Sequence, residues 1–354
     1  MLEKKLMKGN EALVYGALIA GCRYYFGYPI TPQNEVTELM SVRMPEVGGV
    51  FVQAESEVAA INMVYGASAA GGRVMTTTSS PGFSLMQEGV SYLATAMLPC
   101  VIANVQRGGP GLGNIAGSQA DYFQATKGGG HGDYHLIVLA PASPQEMLDH
   151  TILGFELTDK YRTPVLLLSD GVIGQMMENV EIPDYKPDIK PKEWALTGCK
   201  DRKKNVIRSL WLDEPKMEAV NIKLQEVYKE ICENEVRYEE FMLEDALVVV
   251  VAYGISSRVS RSIVNDLRKE GYKVGMLRPI TLYPYPYKKL KDLVNSGVKG
   301  MISVEMSAGQ MIEDVKLGVE CKIPVEFYGK MGGVLLDENE LRQKILDLYR
   351  RVVK

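Results

Sequence analysis

The feature that most constrains the fold is an alternation along the first half of the chain. From Asn10 to about Asp170, short runs rich in β-branched and aromatic residues take turns with segments of helical period. Such alternation builds a parallel sheet covered by helices, because parallel neighbours need a crossover long enough to hold a helix. The pattern predicts strands over residues 24–26, 50–53, 74–78, 100–105, 136–139 and 165–168. Several end in turn or capping residues: Tyr28-Pro29-Ile30-Thr31-Pro32, Ser79-Ser80-Pro81-Gly82, Gly108-Gly109-Pro110-Gly111 and Ser143-Pro144. Those points fall at the C-terminal edge of the sheet, where open α/β folds take their ligands.

Beyond about Glu181 the composition shifts to Pro, Lys, Asp and Glu, and a charged helix is predicted over about 214–240. A second, smaller α/β unit is predicted from strands near 247–251, 273–277, 300–304 and 325–328 and a helix over 258–270. The organisation expected is a first domain over 1–185, a connecting arm over 186–244 and a second domain over 245–354. At 354 residues and 46% hydrophobic content there is enough chain for two cores.

A formal net charge of −4, with no basic run interleaved with aromatics, argues against a nucleic-acid partner. The five cysteines, Cys22, Cys100, Cys199, Cys232 and Cys321, are widely spaced and read as reduced thiols rather than as ligands for zinc or an iron–sulfur cluster. Near the N-terminus Lys4, Lys5 and Lys8 precede an apolar stretch ending in Ile19-Ala20-Gly21-Cys22, which has the look of a lipoprotein cleavage site. A helix capped by Asn10 with Leu13, Val14, Tyr15, Ala17 and Leu18 on its apolar side accounts for the same residues. No apolar run approaches a membrane span, and a cytoplasmic location is expected.

Three groups are candidates for chemistry. Thr31 and Pro32 suit the cap and first position of a helix, and the same helix N-terminus could receive a substrate carboxylate beside the Thr31 hydroxyl. Arg107 opens a glycine-rich loop at the end of a strand; it either meets solvent or a surface acid, or grips a carboxylate with its planar fork. Glu55 and Glu57 both suit the positive end of a helix dipole. The small residues Ala59, Ala60, Gly66, Ala67 and Ala70 suggest close packing that desolvates one of these acids, which an acid partner to a ring nitrogen requires. The histidine loop around His131 and His135 lacks ligand spacing, so no metal is expected on this chain. The segment 251–257 lacks a full dinucleotide-loop pattern.

Taken together, Tyr28-Pro29-Ile30-Thr31-Pro32, Glu55-Ser56-Glu57, Arg107-Gly108-Gly109-Pro110, Gly117-Ser118-Gln119-Ala120-Asp121 and Gly128-Gly129-Gly130-His131-Gly132-Asp133 resemble the first domain of 2-oxoacid:ferredoxin oxidoreductases. Arg278-Pro279-Ile280 to Glu305-Met306-Ser307 resembles the transketolase-C-like domain of the same family. The resemblance implies an alpha-type subunit with a thiamin-diphosphate-binding-type parallel sheet, helices on both faces, and a smaller transketolase-C-like α/β domain. It makes Glu57 the acid facing the cofactor pyrimidine, with Tyr28 and Pro29 beside the cofactor, and Thr31 and Arg107 the contacts to the 2-oxoacid. It implies thiamin diphosphate shared with a beta-type chain that binds the pyrophosphate, and Mg2+ and 4Fe-4S clusters on partner chains. A gamma-type subunit and a ferredoxin-like subunit complete the set, with coenzyme A and ferredoxin as co-substrates. Ser169-Asp170-Gly171 lacks the continuation of a pyrophosphate-binding Gly-Asp-Gly motif. The glycine loop and Tyr122-Phe123-Gln124 look most like the 3-methyl-2-oxobutanoate subgroup, with 2-oxoglutarate or pyruvate as alternative substrates. The rivals are a thiamin enzyme that does not use ferredoxin, and a noncatalytic scaffold or nucleotide-binding module.

Overall fold

The computed structural model describes residues 3–353. Along the chain the strands are β1 (Glu3–Lys8), β2 (Tyr24–Gly27), β3 (Val50–Gln53), β4 (Val74–Thr78), β5 (Val101–Gln106), β6 (Ile137–Leu139), β7 (Val165–Asp170), β8 (Met177–Ile182), β9 (Tyr238–Phe241), β10 (Val248–Ala252), β11 (Val274–Pro279), β12 (Thr281–Tyr283), β13 (Gly300–Glu305) and β14 (Val325–Gly329).

A seven-stranded sheet runs in the order β12-β6-β7-β5-β4-β2-β3, parallel except for β12. Every residue of β4, β5 and β7 is buried, which is the mark of strands covered on both faces. From β2 the chain moves outward to β3 and then returns to the other side for β4. The crevice between the C-terminal ends of β2 and β4 is therefore the point where strand order reverses, the standard ligand position in such sheets. A five-stranded sheet, β14-β13-β10-β11-β9, is parallel apart from β9.

The strands expected from local pattern are all present, shifted by a residue or two at their ends. The departures come from long-range pairing. Residues 214–240 do not form one charged helix: it spans Glu214–Asn234, and β9 follows. The break occurs at Glu235, which is buried and accepts hydrogen bonds from Lys160, Tyr161 and Arg237, so the chain turns inward there. The helix expected over 258–270 spans Gly254–Lys269. Asn10 is not a cap. The first helix, Gly9–Ile19, is preceded by Lys8, and Asn10 lies inside it, donating from Nδ2 to the Pro32 carbonyl. The lysine-bearing N-terminus forms β1, which pairs antiparallel with β8. Among the described residues no helix is long and apolar enough to cross a membrane.

The two sheets are joined covalently and sterically. β12 leaves the second unit to extend the first sheet, and the Arg278 guanidinium donates to both oxygens of Glu146 at 2.7 Å and to Glu239 at 2.8 Å. Arg278 is 5% exposed, whereas both acids are partly open to water. Replacing Arg278 by methionine strands the Glu146 carboxylate, which solvent only partly rehydrates, while Glu239 keeps Arg261. The expected cost is about 1–3 kcal/mol, read as a lower midpoint in thermal or denaturant unfolding.

Candidate active site

The site is assembled at the strand-order reversal from the ends of β2, β3, β4 and β5. After β2 the chain passes through Tyr28, which is exposed, and Pro29 to Thr31. Thr31 and Pro32 do not begin the next helix as the sequence suggested. That helix spans Asn34–Glu46, with Gln33 as its cap, and the Thr31-Pro32 peptide is cis. The Pro32 carbonyl accepts from Asn10 and Gln175, which holds this segment apart from the helix. Thr31 thus sits on a pinned turn rather than on the helix itself.

Arg107 lies just beyond β5 and is 7% exposed. Its guanidinium donates from Nη1 to the Thr31 carbonyl and from Nη2 to the Leu112 carbonyl, each at 2.9 Å, while Nε is buried with no partner among the described residues. Both acceptors are neutral. A buried cation with no compensating carboxylate is costly unless an anion completes it, and its fixed fork matches a carboxylate. The structure therefore brings Thr31 and Arg107 into contact and leaves the charge of Arg107 available.

Glu57 and Glu55 are clearly distinguished. Glu55 is exposed, whereas Glu57, in the first turn of the helix Glu57–Ala69, is 4% exposed. Ser56 caps that helix through the Ala59 N–H. What covers Glu57 is the helix Ser80–Thr95. A Cβ placed on Gly82 would lie 2.4 Å from Glu57 Oε1 and 2.1 Å from Thr78 Oγ1, so only glycine lets this helix approach the carboxylate. The oxygens of Thr76, Thr78 and Ser79 around the end of β4 are buried without partners. Unpaired buried polar atoms are rare in finished cores and mark places where a ligand completes the hydrogen bonding. A carboxylate and hydroxyls that find no partner among the described residues, with a backbone cradle at Gly82, together fit a flat heteroaromatic ring with nitrogen donors and acceptors.

The sequence reading missed Gly82 and Thr78, although Ser79-Ser80-Pro81-Gly82 was visible as a turn signal. Gln119 entered only within the segment that carries the family resemblance. This buried side chain donates to the Tyr253 carbonyl and accepts from Ser256 and from the Met306 N–H, binding the loop after Arg107 to the second unit. Asp170 is a fully buried helix cap, bonded to the N–H groups of Val172, Ile173 and Ile255, and burial pushes its carboxyl up to about 6. Those bonds show the Asp170 carboxylate at work in the scaffold.

Two family models match the chain. One, described as the thiamine diphosphate-binding part of pyruvate flavodoxin/ferredoxin oxidoreductase, covers residues 15–240; the other, core domain II of pyruvate:ferredoxin oxidoreductase, covers 246–341. The chain belongs to the 2-oxoacid:ferredoxin oxidoreductase family. Within this family it is 54% identical to ketoisovalerate oxidoreductase subunit VorB of Methanothermobacter marburgensis, over 97% of each chain. It is 36% identical to 2-oxoglutarate synthase subunit KorA of Methanothermobacter thermautotrophicus, over 99% of this chain and all of that one. A solved structure of 2-oxoglutarate:ferredoxin oxidoreductase from Magnetococcus marinus, with 2-oxoglutarate, coenzyme A and succinyl-CoA bound, superposes with a TM-score of 0.88 at 27% identity. The match covers 98% of this chain and 65% of that one. Thiamin diphosphate is accordingly the cofactor of the family member described here, and the chain acts as an alpha-type subunit.

Proposed function

We propose that this chain contributes the pyrimidine-facing acid and the substrate carboxylate clamp of a branched-chain 2-oxoacid:ferredoxin oxidoreductase. The reaction is the coenzyme A-dependent oxidative decarboxylation of 3-methyl-2-oxobutanoate, with release of carbon dioxide and reduction of ferredoxin. The observation that carries this reading is the buried Arg107 guanidinium, held against Thr31 with two neutral acceptors and, among the described residues, no acid. When bound, the cofactor supplies a thiazolium carbon able to attack a ketone. Glu57 then exchanges a proton at the pyrimidine ring nitrogen from a site where Gly82 and the helix above it exclude water. Tyr28 and Pro29 line the approach on the β2 side. Arg107 and the Thr31 hydroxyl orient the 2-oxoacid through its carboxylate, which fixes its ketone relative to the cofactor. The branched-chain assignment follows the 54% identity to the VorB subunit against 36% to the KorA subunit. It is tested by specificity constants: a value for 2-oxoglutarate well above that for 3-methyl-2-oxobutanoate would overturn it.

The partners in this reading are a beta-type chain holding the cofactor pyrophosphate and Mg2+, a gamma-type chain and a ferredoxin-like chain with 4Fe-4S clusters, all in the cytoplasm. An apolar rim beside the Arg107 loop supports such a docking face. Leu112 and Ile115 are 80% and 66% exposed, and Met331, Val334 and Leu335 are exposed on the facing loop of the second unit, which Asn114 ties down through the Gly332 carbonyl. The isolated chain is expected to reduce no ferredoxin and to gain activity on reconstitution. Leu112→Glu keeps the carbonyl that receives Arg107 and is expected to weaken assembly, measured by analytical ultracentrifugation of the reconstituted complex. Ferredoxin reduction by the isolated chain would contradict the shared-site reading.

A further inference from the structure

The loop that follows Arg107 folds back beneath it, and one partly buried acid there has no part in the chemistry described so far. Asp121 Oδ2 accepts the Ser80 hydroxyl at 2.6 Å and the Asn104 amide at 2.9 Å, while the Asp121 N–H donates to Gln106 Oε1 at 3.1 Å. Asn104 and Gln106 belong to β5, the strand that delivers Arg107. The Arg107 N–H in turn donates to Ser80 Oγ at 3.0 Å. A hydroxyl has a single proton, and the short bond to Asp121 claims it. The Ser80 oxygen is thereby left as an acceptor facing the Arg107 N–H, with the Arg107 carbonyl a longer 3.3 Å away. Ser80 stands on the first turn of the 16-residue helix whose Gly82 covers Glu57, so it is a fixed post.

A plain structural role does not require an ionisable group here. Burial raises the proton affinity of Asp121 and makes the carboxylate an expensive choice where an amide would fit the same space. Both bonds end on Oδ2, and because the other carboxylate oxygen is an acceptor too, the direction of the Ser80 bond is fixed whichever oxygen faces it. With an amide at 121, an NH2 group could donate to Ser80, and the hydroxyl proton would turn toward the Arg107 carbonyl. The Arg107 N–H would then face a weaker acceptor, and the peptide that aims the guanidinium at Thr31 would lose its anchor.

We propose that Asp121 is a positioning residue that acts through the Ser80 hydroxyl to orient Arg107 toward the substrate carboxylate. The inference rests on the reading of Arg107 as the carboxylate-binding residue.

The experiment uses the assembled enzyme and compares Asp121→Asn, Ser80→Ala, the double variant and Arg107→Lys. One misdirected hydrogen bond is worth roughly a 3- to 10-fold rise in KM for the 2-oxoacid, with kcat at saturation and bound thiamin diphosphate near parental levels. Because both residues act along one path, the double variant should be no worse than the poorer single variant. Ser80→Ala, at a partly exposed position, keeps the test open if Asp121→Asn fails to fold. An unchanged KM in the Ser80 and Asp121 variants with a raised KM in Arg107→Lys overturns the proposal and leaves the Arg107 reading intact. An unchanged KM in all of them overturns both. Additive effects in the double variant, or loss of kcat and cofactor in step with KM, also overturn it, since they report separate or general structural damage.

Discussion

Replacing Glu57 by glutamine in the assembled enzyme is expected to lower turnover by about 10²- to 10⁴-fold, the usual weight of a positioned general acid–base group. Glutamine keeps the volume beneath Gly82, where a Cβ on the opposing helix already has no room, so the cradle stays filled. It also keeps an acceptor and gains a donor, and cofactor binding should largely survive. What disappears is the exchangeable proton, at a position that is 4% exposed and therefore closed to a substitute water. Glu55→Gln provides the control two residues away. Glu55 is exposed, and its loss should cost no more than a surface charge near a helix N-terminus, about 0.3–1 kcal/mol of stability, with turnover nearly unchanged.

Arg107→Lys is expected to raise KM for the 2-oxoacid roughly 10- to 100-fold while thiamin diphosphate content holds. The argument lies in the geometry of the fork. Two N–H groups of Arg107 already serve the carbonyls of Thr31 and Leu112, and this is what aims the remaining donors. An ammonium carries the same charge but cannot hold both carbonyls at once and still present two parallel donors to a carboxylate. Substrate is bound less tightly and less uniquely oriented, so kcat should fall as well, by a smaller factor. Titration of substrate against initial rate, with cofactor quantified in the same preparations, separates this from a cofactor role. Lost thiamin diphosphate at an unchanged KM would place Arg107 in the cofactor site or in the scaffold.

The parallel sheet was legible because its information is local. The β-branched or aromatic runs at β2, β4 and β5 each end in their own turn chemistry, and the C-terminal edge then follows from the direction of the strands. The separation of Glu57 from Glu55 was legible only through family resemblance. Two acids near a helix start are equivalent in pattern, and it is Gly82, from a helix more than 20 residues downstream, that buries one and not the other. Thr31-Pro32 misled for a similar reason. The dipeptide has the chemistry of a helix start, but Asn10 and Gln175 bind the Pro32 carbonyl from distant parts of the chain and delay the helix to Asn34. β9 and β12 were invisible because each is defined by the partner it pairs with rather than by its own period. Likewise Asp121 and Gln119 gain their roles only when the glycine loop folds back under Arg107 and against the second unit.

The central claim is that this chain supplies the acid that serves the cofactor pyrimidine. It is tested most directly by hydrogen–deuterium exchange at the thiazolium C2 position of thiamin diphosphate bound in the reconstituted complex, before any 2-oxoacid is added. Exchange slowed by about 10²-fold or more in Glu57→Gln, and parental in Glu55→Gln, is the predicted result. Near-parental exchange in the Glu57 variant with full cofactor occupancy, or a larger defect at Glu55, would contradict the account.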